Sequence, residues 1–200
     1  MIITEINELK IPCENVSSIE EGEDIAVKLF NELTQSGDGI GLAANQIGIN
    51  KKVCIINVLE DPVILINPLV LEGEGEIYME ESCLSFPNKT SKTKRYQYIT
   101  IECDNLGKVM FGPTGNIEDS YTEGQQLQLL ESICVQHEID HLYGVTMFDR
   151  MHKIQPLISD KKYGRNERVT ITDGTDTKTI KWKKAKALVD DGEWDIVIKS

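Results

Sequence analysis

His137-Glu138-Ile139-Asp140-His141 is an H-E-x-x-H segment. In an α-helix, residues four apart stand on one face, so both imidazoles can reach a single metal ion. Glu138 is turned about 100° from His137. It can approach a water at the ion without being a ligand. Catalytic zinc-type sites take three protein ligands and keep one position for water, so a third ligand is needed. Downstream, Met147 stands where one metallopeptidase class places a third histidine, and a thioether is a poor ligand for a borderline divalent ion. Glu167 lies in a polar stretch with no apolar helical stripe, and His152 lies past the end of the helix. Upstream, Cys83 sits at a strand-to-loop transition before Leu84-Ser85-Phe86-Pro87. A thiolate beside a divalent cation is deprotonated outright. Cys13, Cys54, Cys103 and Cys134 read as small buried hydrophobes. The bland reading of the motif is a satisfied core histidine pair with an exposed glutamate. The chain has only three histidines, and two stand at this spacing on an otherwise apolar face, which favours a metal.

Several elements must position these residues. Thr122-x-x-Gln125 reads as a capping box opening the metal helix. Leu127, Leu130, Ile133, Cys134, His137 and His141 share one broad face, and Gly144 suits the position just past the end. Ser18-x-x-Glu21 opens an earlier amphipathic helix carrying Ile25, Leu29 and Leu33 and closing near Gly37. Residues 39–48 are small and fit neither period. Residues 53–59 and 63–71 are β-branched runs that predict strands, and residues 77–79 predict another. Residues 98–103 and 108–111 flank Asp104-Asn105-Leu106-Gly107, a hairpin.

Three segments, in order, resemble the peptide deformylase family. Gly39-Ile40-Gly41-Leu42-Ala43-Ala44-Asn45-Gln46 is similar to its G-x-G-L-A-A-x-Q motif. Glu81-Ser82-Cys83-Leu84-Ser85 is similar to E-G-C-L-S, with Ser82 where the family has glycine. Gln136-His137-Glu138-Ile139-Asp140-His141 is similar to Q-H-E-x-D-H. The resemblance covers residues 1–153. It implies an α+β fold with short antiparallel strands around a central metal-binding helix. It implies hydrolysis of the N-formyl group from the N-terminal formylmethionine of nascent polypeptides. Carried over residue by residue, it makes Cys83, His137 and His141 the ligands of one divalent ion, commonly Fe²⁺, with Zn²⁺ or Ni²⁺ also possible. Glu138 becomes the general base and acid. The Gln46 side chain and the Leu84 N–H face the oxyanion. Ile40, Met79, Leu130, Ile133 and Cys134 line the methionine pocket, and Gly41 aligns the peptide. The rival reading is a zincin-type metallopeptidase.

The chain is 200 residues long, with 40% apolar and 27% charged residues and a net charge of −12. That is enough for one full domain and a small appendage, and it argues against DNA as a partner. No apolar run is long enough to span a membrane, and an odd cysteine count points to a reducing, cytoplasmic compartment. Charge is uneven. Residues 155–200 carry ten Lys/Arg against eight Asp/Glu, a balance of +2, and the rest carry eleven against twenty-five, a balance of −14. The expected division is a catalytic domain at 1–153, a linker at 154–168 and a module at 169–200. In that module, alternating Val169/Ile171 and Ile180/Trp182 predict a hairpin, residues 183–190 a helix, and Trp194/Ile196/Ile198 a third strand, a ββαβ unit. Its lysines Lys181, Lys183, Lys184 and Lys186 make the ribosome a possible docking partner.

Overall fold

A computed structural model describes residues 1–37, 39–117, 120–150, 165–172, 177–190 and 194–197. The chain divides into two compact units, residues 1–155 and 156–200. Of the expected linker at 154–168, residues 154–164 lie outside the described residues, as do Asp173-Gly174, Gly192 and Ile198.

The first unit opens with a one-turn helix, α1 (Ile6–Leu9), which no periodicity announces. Helix α2 (Ile19–Ser36) starts where Ser18 Oγ accepts from the Glu21 N–H at 3.1 Å. The Glu21 carboxylate reaches back to the Ser17 N–H at 2.8 Å, one residue before the cap. Ile25, Ala26, Leu29 and Leu33 form its buried stripe, and they pack on a three-stranded antiparallel sheet ordered β1 (Gly41–Ala43), β2 (Val53–Ile56), β3 (Val63–Ile66). Leu42, Val53, Ile55 and Ile66 meet them there.

The run 63–71 is not one strand. Asn67 adopts φ 51° just before Pro68, whose ring also restricts the preceding residue. The chain turns there, and the Asn67 amide bridges Val16 and Asp104. Residues 69–71 then begin a different strand, β4 (Leu69–Ser82), which pairs with β5 (Thr90–Cys103). The strands expected at 77–79 and 98–103 are parts of longer ones: β4 and β5 have 14 residues each, while β1, β2 and β3 are short. The length of the long pair is hidden because Gly73, Gly75 and a row of glutamates interrupt the apolar pattern. Cross-strand charge supports the row, with Lys94 Nζ 2.5 Å from Glu76. Strand β6 (Gly107–Phe111) completes this second antiparallel sheet through the expected hairpin.

Helix α3 (Glu123–Leu142) has the predicted box: Thr122 Oγ1 accepts from the Gln125 N–H and Gln125 Oε1 from the Thr122 N–H. It is not an ordinary amphipathic helix. Every residue from Glu131 to Leu142 is buried, because β1, β2 and β5 all pack against it. Leu127, expected on the buried face, is 41% exposed; it lies in the first turns, before the sheets close around the helix. Past its end Gly144 takes φ 73°, and a Cβ there would lie 2.5 Å from the Lys10 carbonyl oxygen. A turn into Met147–Arg150 follows.

The second unit has β7 (Arg168–Thr172), β8 (Thr177–Lys181), α4 (Trp182–Asp190) and β9 (Asp195–Val197), with sheet order β8-β7-β9. Val169, Ile171, Ala185 and Trp194 form its small core, and Lys178 Nζ sits 4.0 Å from the Trp194 ring centroid.

Candidate active site

Helical geometry places His137 and His141 together, with Nε2 atoms 3.2 Å apart. Cys83, just past the end of β4, brings Sγ to 3.3 Å from His141 Nε2. Ligand atoms of all three lie within 4.8 Å of one another. No other such group occurs among the described residues, and Glu167 belongs to none. His152 lies outside the described residues, and Met147 packs with Leu9, Cys83 and Phe86 in an apolar cluster.

The donor set can be tested for fit to a metal. Glu81 Oε2 lies 2.7 Å from His137 Nδ1. A carboxylate only accepts, so Nδ1 carries a proton and Nε2 is the ring nitrogen that faces the cluster. Burial pushes His141 down to about 3, so its imidazole is neutral. Burial works against charge on His137, but its hydrogen bonds to Cys83 and Glu81 hold it well above the usual imidazole range, so a divalent ion would take the place of a proton there. A thiol and two imidazoles converging in a buried site suit a borderline divalent ion better than Mg²⁺ or Ca²⁺. Burial pushes the thiols of Cys13 (to about 11), Cys54, Cys103 and Cys134 up.

A layer of ion pairs, for which the sequence offered no spacing, supports these ligands. Arg95 is fully buried on β5. Its Nε and Nη2 donate to Glu81 at 2.5 and 2.8 Å, and its Nη1 donates to Asp140 at 2.6 Å. Arg150 also donates twice to Asp140, to Oδ1 at 2.7 Å and to Oδ2, the oxygen shared with Arg95, at 2.9 Å. Burial opposes ionisation of both acids, yet the hydrogen bonds and charge of these arginines hold the Glu81 and Asp140 carboxyls below their usual range. The one signal in the sequence is the inward row Ser91, Thr93, Arg95 on β5, polar where a core strand is apolar.

Glu138 is 4% exposed, and burial pushes its carboxyl up to about 7. Gln46 stands in a 3-10 turn (Ala44–Ile47) with a defined orientation. The Ala43 N–H donates to Oε1 at 2.8 Å, so Nε2 must point the other way, 3.1 Å from Ser85 Oγ and 3.5 Å from Cys83 Sγ. These groups open on a cavity of about 420 Å³ whose lining includes Cys83, His137, Glu138, Gln46 and Leu84. Ile40, Gly41, Met79, Leu130, Ile133 and Cys134 line it too. A Cβ on Gly41 would lie 2.6 Å from Cys134 Sγ and 2.7 Å from Glu138 Oε1, so only glycine leaves room there.

Residues 2–156 match the family described as polypeptide deformylase. The chain belongs to that family. The peptide deformylase of Aquifex aeolicus is 32% identical over 163 residues, 78% of this chain and 88% of that protein. A probable peptide deformylase from Synechococcus phage S-SSM7 superposes with a TM-score of 0.60 at 27% identity, covering 75% of this chain and 98% of its own. The enzyme from the Vibrio parahaemolyticus bacteriophage VP16T gives 0.58 at 30%, covering 72% and 98%. The chain is thus a hydrolase that removes the formyl group from N-terminal formylmethionine, and a single metal ion fits its Cys/His/His cluster. Nothing favours the zincin reading. Ser82, in the glycine position of the second motif, closes β4 without a positive φ, so its Cβ is tolerated. No helix among the described residues is long and apolar enough to cross a membrane.

Proposed function

We propose that this deformylase holds one divalent ion through Cys83 Sγ, His137 Nε2 and His141 Nε2, with Fe²⁺ the natural occupant and Zn²⁺ or Ni²⁺ able to replace it. The observation that carries the reading is the convergence of those three atoms, with Cys83, His137 and Glu138 lining one cavity. The ion supplies Lewis acidity, lowering the pKa of water from about 15.7 towards 7. The chain's own groups do the rest. Glu138 takes the proton of the attacking water, for which a carboxyl near neutrality is well matched. As the formyl carbon becomes tetrahedral, Gln46 Nε2 and the Leu84 N–H donate to its oxygen. Glu138 then gives the proton to the departing amine, releasing formate and a free N-terminus. Ile40, Met79, Leu130, Ile133 and Cys134 hold the methionine side chain, and the bare backbone at Gly41 lets the peptide come close.

The test is turnover of formyl-Met-Ala-Ser, with formate and new amine both measured. Equal yields of the two are expected, and amine without formate would mean a peptidase. Gln46→Leu should keep its metal and lose kcat by about 10²–10³. An unchanged kcat would remove Gln46 from the oxyanion site.

The enzyme is proposed to work in the cytoplasm of a bacterial cell, or of a bacterial host if a phage encodes it, where its formylated substrates emerge and its five thiols, all free, stay reduced. The second unit is proposed to dock weakly on the ribosome through Lys181, Lys183 and Lys184, all exposed. Replacing the three with Glu should abolish co-sedimentation with ribosomes at low salt, because screening limits such attraction. Retention at low salt would rule these lysines out.

A further inference from the structure

We propose that Asn45 is a positioning residue for His141, acting through the main chain of the metal helix. The inference rests on the ligand assignment above. Asn45 has no role in the motif it belongs to, yet it is buried at 7% exposure. Its Nδ2 lies 2.6 Å from the carbonyl oxygen of His141 and 3.5 Å from that of Leu9. A carbonyl only accepts, so the amide nitrogen must face it, which settles the orientation of the side chain.

The location explains why such a bond matters. His141 stands in the last turn of α3, where carbonyls lack the usual helical donor; the His141 carbonyl takes the Gly144 N–H at 3.1 Å in its place. Any shift of that closing turn would move His141 relative to His137, one turn earlier. Asn45 adds a second donor to that carbonyl, from a different element and at the shorter distance of 2.6 Å. It does so from a turn that is itself held, by Ile3 N–H on Gln46 O, Gly48 N–H on Asn45 O and Ile49 N–H on Ala44 O at 2.8–3.1 Å. The next residue in that turn, Gln46, meets Cys83 and Ser85. One 3-10 turn therefore ties the end of α3, which carries His141, to the loop that carries Cys83. Two ligands separated by 58 positions are set against each other by adjacent amides.

The test is equilibrium Ni²⁺ affinity of the intact 200-residue chain, by chelator competition, with thermal unfolding of the metal-free protein alongside. Asn45→Asp keeps the shape but puts an acceptor against the carbonyl, and Asn45→Ala removes the group. Each should weaken Ni²⁺ binding by about 10–100-fold. Asn105→Ala is the control, because Asn105 also bridges backbone, at Ile64 O and Ile66 N, but remote from the ligands. It should lower the unfolding temperature and leave Ni²⁺ affinity unchanged. If either folded Asn45 variant keeps the parent affinity, or if Asn105→Ala loosens the ion equally, the proposal is overturned. If Asn45→Asp does not fold, Asn45→Ala decides. Failure of the ligand assignment looks different: the parent would hold no Ni²⁺, or Cys83→Ala would hold all of it.

Discussion

Glu138→Ala is expected to bind its full complement of metal and to lose turnover by about 10²–10⁴-fold. The side chain is aimed into the cavity from the same helix turn as His137, but rotated off the ligand face. Its carboxyl, pushed up to about 7 by burial, sits where it can both take and return a proton at neutral pH. Removing it leaves Cys83, His137 and His141 in place, so metal content measured on the purified variant should stay near one per chain. Formate release should fall to a small remnant. A variant keeping more than a few per cent of the parent kcat would refute the proton-transfer role. A variant losing its metal would show that the carboxylate holds the ion instead.

Arg95→Met should destabilise the fold by about 3–5 kcal/mol, read by urea denaturation of the metal-free protein. The guanidinium is fully buried and bonds two carboxylates at once. Without it Glu81 keeps only Thr93 and His137 as partners, and Asp140 keeps Arg150. A carboxylate left buried without its cation costs far more than the loss of an exposed pair. Arg95→Lys should recover little, since a point charge cannot reproduce the fork that serves both acids. Because Glu81 orients His137, metal affinity should also fall in both variants, by about 10–100-fold. A loss of stability under 1 kcal/mol in Arg95→Met would mean that the acids find other partners or become neutral.

The two histidines and Glu138 are legible in the sequence because the helix period is local. Residues four apart share a face whatever surrounds them, and the neighbouring residue must be rotated off it. The same locality makes the Ser18 and Thr122 caps and the hairpin at 104–107 legible. Cys83 is different. It lies more than fifty positions from its partners, and no spacing rule relates it to them; residue chemistry left it one candidate among several, and only the resemblance of three ordered motifs singled it out. The second ring of residues is decided by tertiary structure alone. Arg95 meets Glu81 because β4 and β5 pair in one register over most of their 14 residues, and a slip of one residue would leave the two side chains on opposite faces. Asp140 joins them only because α3 packs on β5. The exposure of Leu127 has the same origin. Periodicity shows which residues share a helix face, but not how far along the helix the sheets extend to cover it.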